Sequence, residues 1–122
     1  MTHKILIVDD EPNIVMSLEF LLKKEGFVVE TAGDGDAALE KVRGFVPDLM
    51  LLDVMMPKKS GFEVCEILRA DATYNALRII MLTAKGRETE QAKGIALGAD
   101  AYMLKPFSTK DLVAKIRELL AV

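Results

Sequence analysis

A regular alternation of two sequence patterns constrains the fold of this chain more than any other feature. Lys4–Val8 is a short apolar, β-branched run typical of a strand, and residues 13–25 then place apolar side chains on one helical face before Gly26 ends the helix. Pro12 suits the first turn of that helix. The same pair of patterns recurs along the chain and predicts five strands alternating with five helices.

The remaining predicted elements keep this order. The other predicted strands are Phe27–Thr31, Leu49–Leu52, Arg78–Leu82 and Ala101–Leu104. The next three predicted helices are Asp36–Arg43, which Gly44 ends; Phe62–Arg69; and Glu88–Leu97, which Gly98 ends. The last predicted helix begins at a Ser108–Asp111 capping box. It turns five apolar side chains inward, those of Leu112, Val113, Ile116, Leu119 and Leu120. Strict alternation, with strands apolar on both faces, predicts an α/β fold in which helices cover both sides of a doubly wound parallel sheet.

Length and composition favour one small cytoplasmic domain. The 122 residues suffice for one hydrophobic core, so residues 1–122 are interpreted as a single domain. No apolar run approaches the roughly 20 residues that span a bilayer, and no cleavage-site pattern follows the N-terminus. One cysteine and one histidine give neither an internal disulfide nor a zinc-type ligand set. A net charge of −3 does not favour nucleic acid, so we expect neither membrane nor direct nucleic-acid partners.

Polar side chains follow the predicted strands at the sheet edge where doubly wound folds bind ligands. They are Asp9 and Asp10 after the first strand, Asp53 after the third, Thr83 after the fourth and Lys105 after the fifth. Each alone has an ordinary explanation as a turn former, a helix cap, a strand-end hydroxyl or a surface charge. Three clustered carboxylates, however, would repel by about 4 kcal/mol per close pair at an effective dielectric constant of about 20. The cluster therefore predicts a bound cation, and Mg²⁺ is the ion that suits carboxylates in an open cleft.

The same edge carries groups that phosphoryl transfer needs. Lys105 adds positive charge and Thr83 a hydroxyl donor, and both suit the neutralisation of a phosphoryl group. Asp53 ends the most apolar strand, Leu49–Leu52, so its backbone is the most rigidly placed of the three aspartates. Aspartate nucleophiles that form an aspartyl phosphate are an established class. We therefore predict that Asp53 is the phosphoryl acceptor.

Four motifs make the chain resemble the receiver domain of two-component response regulators over essentially its whole length. They are Ile5–Pro12, Pro47–Asp53 with Met56, Pro57 and Gly61, Thr83–Ala84, and Lys105–Phe107. The resemblance implies the flavodoxin-like (βα)5 fold of chemotaxis regulators, with strand order 2-1-3-4-5. It also implies that Asp9, Asp10, Asp53 and the backbone carbonyl of Met55 hold Mg²⁺, and that Asp53 accepts phosphate from a phosphohistidine.

Three further positions acquire roles from the same resemblance. Thr83 and Lys105 would contact the phosphoryl oxygens. Tyr102 would be the aromatic side chain that moves inward when Thr83 is drawn toward the phosphoryl group. The Lys105–Pro106 peptide bond would be cis and would aim the lysine at the site.

The resemblance implies a signalling switch that catalyses only its own phosphorylation and dephosphorylation. Its partners would be a sensor histidine kinase or phosphotransfer protein and a downstream output domain or target protein. The output surface would comprise the fourth helix, fifth strand and fifth helix. Mixed charges on this surface resemble receivers that form homodimers on phosphorylation, although an ordinary solvated surface explains them equally well. A free-standing regulator and a receiver taken from a longer protein both fit the sequence.

A Mg²⁺-dependent phosphatase with an aspartate nucleophile is the main alternative class. Such enzymes usually carry the nucleophile after the first strand with a second acid two residues on, whereas the first strand here leads into Asp9-Asp10-Glu11-Pro12. No glycine-rich nucleotide motif occurs either. His3 is expected at the opposite end of the sheet from Asp53. Ordinary core packing is the interpretation for six sulfur-containing residues, namely Cys65, Met50, Met55, Met56, Met81 and Met103.

Overall fold

The computed structural model describes residues 2–84 and 89–122. The described strands are β1 (Lys4–Val8), β2 (Val28–Ala32), β3 (Leu49–Asp53), β4 (Arg78–Ala84) and β5 (Ala101–Lys105). The helices are α1 (Pro12–Lys24), α2 (Gly35–Phe45), α3 (Gly61–Arg69), α4 (Thr89–Ala96) and α5 (Thr109–Leu120), with a short 3₁₀ turn at Ala72–Tyr74. All strand pairs are parallel and the order is β2-β1-β3-β4-β5. The predicted fold class and strand order are confirmed.

Alternate residues of the central strands face two separate cores, as the two-residue period of a strand requires. One core joins the sheet to α2 and α3 through Leu6, Val8, Met50, Leu52, Ile79, Met81, Ala38, Val42, Val64, Cys65 and Leu68. The other joins it to α1 and α5 through Ile5, Ile7, Leu49, Leu51, Ile80, Leu82, Leu18, Leu22, Leu112 and Ile116. Val113, Leu119 and Leu120 pack at the margin of this second core. The sheet is therefore covered on both faces, and its ends remain available for a site.

Core packing is confirmed for Cys65, Met50 and Met81, each of which is fully buried. Met56 and Met103 pack partly buried against the two cores. The prediction was wrong for Met55, whose surface is 56% exposed. Met55 lies beyond the end of β3, in the loop before α3.

Helix ends follow their local signals at most positions. Pro12 begins α1, and Gly26 after it has φ +96°, a conformation that favours glycine. The hydroxyl of Ser108 accepts from the Asp111 amide at the start of α5, while both halves of a capping box are formed at Ser60 and Glu63 before α3.

The predicted end of α2 at Gly44 was wrong. The helix continues through Gly44 to Phe45, because the Phe45 ring is buried and holds the last turn against the sheet. The left-handed residue that ends the helix is Val46, with φ 51°.

Several strands differ from their predicted bounds by one or two residues. Asp53, Lys105 and Thr83 were expected to follow their strands but lie within them, because each still pairs with a neighbouring strand. Strand β2 is shifted by one residue, to Val28–Ala32. Helix α4 runs over Thr89–Ala96, and Glu88, its predicted first residue, lies outside the described residues. No helix in the described part of the chain is both long enough and apolar enough to cross a membrane.

Candidate functional site

Two aspartates meet at the carboxyl edge of the sheet because β1 and β3 are parallel neighbours. Val8 pairs with Leu52, so Asp9, the residue after β1, comes level with Asp53, the last residue of β3. Both side chains are nearly inaccessible, with 1% of Asp9 and 6% of Asp53 exposed. The backbone amide of Glu11 donates to Asp9 Oδ1 at 2.9 Å and fixes that carboxylate. Two buried acids are thus held side by side by the strand register.

Asp10 completes an acidic group with these two residues. One carboxylate oxygen from each of Asp9, Asp10 and Asp53 can be chosen so that all lie within 4.8 Å of one another, and Asp10 is exposed. Hard divalent cations bind carboxylate oxygens and retain water where a site opens to solvent. The acidic group is therefore capable of holding a metal ion, with its exposed side at Asp10.

Lys105 reaches into the same group from the end of β5. Its Nζ donates to Asp9 Oδ2 at 2.7 Å and to Asp53 Oδ1 at 3.3 Å, and only 15% of the side chain is exposed. Burial works against its charge, but the hydrogen bond to Asp9 and the charge of Asp53 outweigh burial and raise the pKa of Lys105 above its usual range. The Lys105–Pro106 peptide bond is cis. Lys105 therefore stays protonated and links the two buried carboxylates.

The Asp53 carboxyl is less acidic than an ordinary aspartate. Its pKa is raised to about 6, because burial and the Asp9 charge together raise it by more than the Lys105 ammonium group lowers it. The positive charge of one ammonium group thus offsets only part of the negative charge of the three carboxylates. The electrostatics favour a further cation beside Asp53.

The loop between β3 and α3 packs tightly on the backbone of Asp53. A Cβ at Gly61 would clash with the Asp53 carbonyl oxygen, so only glycine fits there. The Gly61 amide donates to the Val54 carbonyl at 2.8 Å, and the Val54 amide donates to the Leu82 carbonyl of β4. These contacts fix the backbone that carries the Asp53 side chain.

The structure does not gather all the predicted side chains around the acidic group. Thr83 is 1% exposed at the end of β4, and its hydroxyl donates to Glu90 Oε1 of α4 at 2.8 Å. Tyr102 is half-buried beside the α2 and α3 core. Met55, for which the predicted ligand is the backbone carbonyl, lies two residues after Asp53 with its side chain exposed. Asp9, Asp10, Asp53 and Lys105 are therefore the predicted residues that lie together.

Sequence reasoning missed Glu90. It is seven residues from Thr83 and belongs to a different element, so no local spacing rule connects the two. A strand-end hydroxyl followed by an acid in the first turn of the next helix is too common a pattern to have identified the contact.

Comparison with known proteins agrees with this geometry. The family profile described as "Response regulator receiver domain" matches residues 5–117. This chain belongs to the response regulator receiver domain family. It is therefore a receiver of two-component signal transduction, with the fold of chemotaxis regulators.

Solved receiver structures resemble this chain over nearly all its length. A putative response regulator from Chloroflexus aurantiacus is 34% identical, with a TM-score of 0.95 and full coverage of both chains. The chemotaxis response regulator CheY4 of Vibrio cholerae is 33% identical, with a TM-score of 0.91, and the match covers 98% of this receiver and 99% of CheY4.

Among curated relatives, the alkaline phosphatase synthesis transcriptional regulatory protein PhoP of Bacillus subtilis is 47% identical over 120 residues. The match covers 98% of this receiver and 49% of PhoP. The phosphate regulon transcriptional regulatory protein PhoB of Rhizobium meliloti is 44% identical, with 98% and 53% covered. The receiver thus spans about half the length of these relatives.

Proposed function

We propose that this receiver accepts a phosphoryl group on Asp53 from the phosphohistidine of a sensor histidine kinase or phosphotransfer protein. The observation that carries the proposal is the convergence of three carboxylates and Lys105 at one sheet edge, with Asp53 on the strand at its centre. A phosphohistidine donor also fits the cytoplasmic location expected from the sequence. Beyond its own phosphorylation and dephosphorylation, the receiver is proposed to catalyse no reaction.

Asp9, Asp10, Asp53 and the backbone carbonyl of Met55 are proposed to hold Mg²⁺. The donor set fits the ion, because it offers carboxylate oxygens that lie close together and one side that opens to water. When bound, Mg²⁺ would neutralise negative charge on the carboxylates and on the phosphoryl oxygens.

The transfer itself needs little covalent chemistry from the protein. A carboxylate oxygen of Asp53 attacks phosphorus, an O–P bond forms, and the P–N bond of the phosphohistidine breaks with its electron pair passing to the imidazole nitrogen. Burial of Asp53 to 6% exposure keeps its oxygens from being surrounded by water. The ammonium group of Lys105, 3.3 Å from Asp53 Oδ1, is placed to pair with the arriving phosphoryl oxygens.

Thr83 and Tyr102 are proposed to pass the change on to the surface formed by α4, β5 and α5. The Thr83 hydroxyl would move to a phosphoryl oxygen, and the Tyr102 ring would follow it inward. By analogy with relatives named as transcriptional regulators, this surface would act on an output domain or target protein. The phosphorylation-dependent homodimer and the single-domain boundary 1–122 stay predictions.

Intact-mass measurement after incubation with acetyl phosphate and Mg²⁺ tests the acceptor. We expect a gain of one phosphoryl group in the wild type, and none in Asp53→Ala or when Mg²⁺ is chelated. Asp36→Ala, which removes an exposed carboxylate outside the site, is the matched control and should gain the group normally. Modification that persists in Asp53→Ala would show that another residue is the acceptor.

A further inference from the structure

We propose that Glu90 is a positioning residue that holds the Thr83 hydroxyl until Asp53 is phosphorylated, and so sets how easily the receiver switches. This inference rests on the proposed function, in which Thr83 moves to a phosphoryl oxygen. It adds a residue from α4 that competes with the phosphoryl group for the same proton.

The contact that supports this role is short and partly buried. Thr83 Oγ1 donates to Glu90 Oε1 at 2.8 Å, and Thr83 itself is 1% exposed. Glu90 is the second residue of α4 and is half-buried. A hydrogen bond to a carboxylate in such a place is stronger than one between two neutral groups.

Thr83 is also close to the acceptor along the sheet. Asp53 pairs with Leu82, so Thr83 is the next residue on the strand beside the acceptor. A phosphoryl group on Asp53 would therefore form next to the strand position from which the hydroxyl now points to α4.

A threonine hydroxyl has a single proton to donate. The hydroxyl cannot donate to Glu90 and to a phosphoryl oxygen at the same time. The hydrogen bond to Glu90 must therefore break before the hydroxyl can donate to the phosphoryl group. Both acceptors carry negative charge, and they would compete across one hydroxyl. Glu90 thus stabilises the unphosphorylated arrangement and raises the threshold for activation.

The location of Glu90 in α4 gives the same bond a second consequence. The Thr83–Glu90 contact ties the first turn of α4 to the end of β4. Once the hydroxyl leaves, this tie between strand and helix is lost. Phosphorylation of Asp53 would thus change a defined contact of α4, a helix of the proposed output surface.

Beryllofluoride binding in the presence of Mg²⁺ tests the inference, with amide NMR shifts as the readout. Glu90→Ala removes the acceptor, and we expect it to lower the beryllofluoride midpoint by about three- to tenfold. Glu90→Gln keeps an acceptor oxygen but removes the charge, so its midpoint should lie between those of wild type and Glu90→Ala. Because glutamine is nearly isosteric, this variant keeps the test decisive if Glu90→Ala fails to fold. Glu40→Gln, an exposed acid on α2, is the charge-matched control and should match wild type.

A Thr83→Ala background separates competition for the hydroxyl from a general effect of charge. The effect of each Glu90 substitution should disappear there, because no hydroxyl remains to compete for. Beryllofluoride midpoints equal to that of wild type in both Glu90 variants would overturn the role of Glu90. The same holds if the Glu90 substitutions lower the midpoint as much in the Thr83→Ala background as they do in the wild type. Failure of the wild type to bind beryllofluoride, or equal binding by Asp53→Ala, would instead reject the proposed acceptor site.

Discussion

Two clusters of charged side chains lie at opposite edges of the sheet, and they differ in how completely their hydrogen-bond donors and acceptors are matched. At the amino edge, Asp100 Oδ2 accepts from Arg69 at 2.8 Å and from the Ile79 amide at 2.8 Å, and Arg78 lies 3.6 Å from Oδ1. Arg69 also donates to the carbonyls of Gly98 and Tyr74 at 2.8 and 2.9 Å. This cluster contains two cationic side chains and one anionic side chain, and backbone carbonyls accept from the Arg69 nitrogens that do not bind Asp100.

At the carboxyl edge, anionic side chains outnumber cationic ones. Three carboxylates surround one ammonium group, and the acidic side opens to solvent at Asp10. A cluster whose donors and acceptors match internally stabilises the fold, whereas one that retains extra carboxylate oxygens is suited to bind a cation. The comparison therefore predicts effects of opposite sign when the two clusters are altered.

The largest expected effect comes from breaking the matched cluster. Arg69→Ala removes three hydrogen bonds and leaves Asp100 with a reduced countercharge, so we expect the free energy of unfolding to fall by about 2–4 kcal/mol. Urea denaturation measures the change. Lys41→Ala breaks an exposed ion pair with Glu30 and should cost less than about 1 kcal/mol. An equal effect of the two substitutions would remove the distinction between the clusters.

Removal of one negative charge from the unmatched cluster should raise the free energy of unfolding. In a chelating buffer at neutral pH, Asp53→Asn removes a buried charge that Asp9 repels, so we expect unfolding to require about 1–2 kcal/mol more, a value reduced to allow for solvent at the open side of the site. Denaturant titration of both proteins gives the difference. Asp36→Asn, which loses a favourable exposed pairing with Lys59, should give no such gain. Destabilisation by Asp53→Asn would mean that the site is already balanced.

Most of the fold and part of the site follow from local patterns. The strands were predictable because apolar runs, glycines and prolines mark their limits, and parallel strands bring their carboxyl ends to one edge. Asp9, Asp53 and Lys105 follow from that rule, since each lies at or just beyond the end of its strand.

Features that depend on packing between elements were not predictable in this way. Gly44 carries a local stop signal, but burial of Phe45 carries α2 past it. The contact between Thr83 and Glu90 depends on how α4 lies against β4, which no residue pattern specifies. Asp53 could be predicted as an acid at the edge, whereas its raised pKa needs the burial and the neighbour that only the structure supplies.

Addition of Mg²⁺ should stabilise the unmatched cluster and leave the matched one unaffected. At a Mg²⁺ concentration ten times the dissociation constant, binding to the native state alone adds about 1.4 kcal/mol to the free energy of unfolding. Thermal melts at constant ionic strength test this expectation. Asp10→Asn should lose most of the gain with little disturbance to folding, because Asp10 is the exposed member of the acidic group. Arg69→Ala should keep the gain, and equal losses in both variants would contradict a separate role for the carboxyl edge.

The smallest expected effect is the pH dependence of the Asp53→Asn gain. The pKa of Asp53 is about 6 in the folded chain and near 3.8 when unfolded, so between these values the native state binds more protons than the unfolded state. Wild-type stability therefore falls as pH rises through this window, relative to Asp53→Asn, which has no carboxyl to titrate there. In a chelating buffer the gain from Asp53→Asn should be complete above about pH 7 and smaller by about 1 kcal/mol at about pH 4. Urea titrations of both proteins across that range measure it. A gain that does not vary with pH would show that packing, and not the unmatched charge, separates the two clusters.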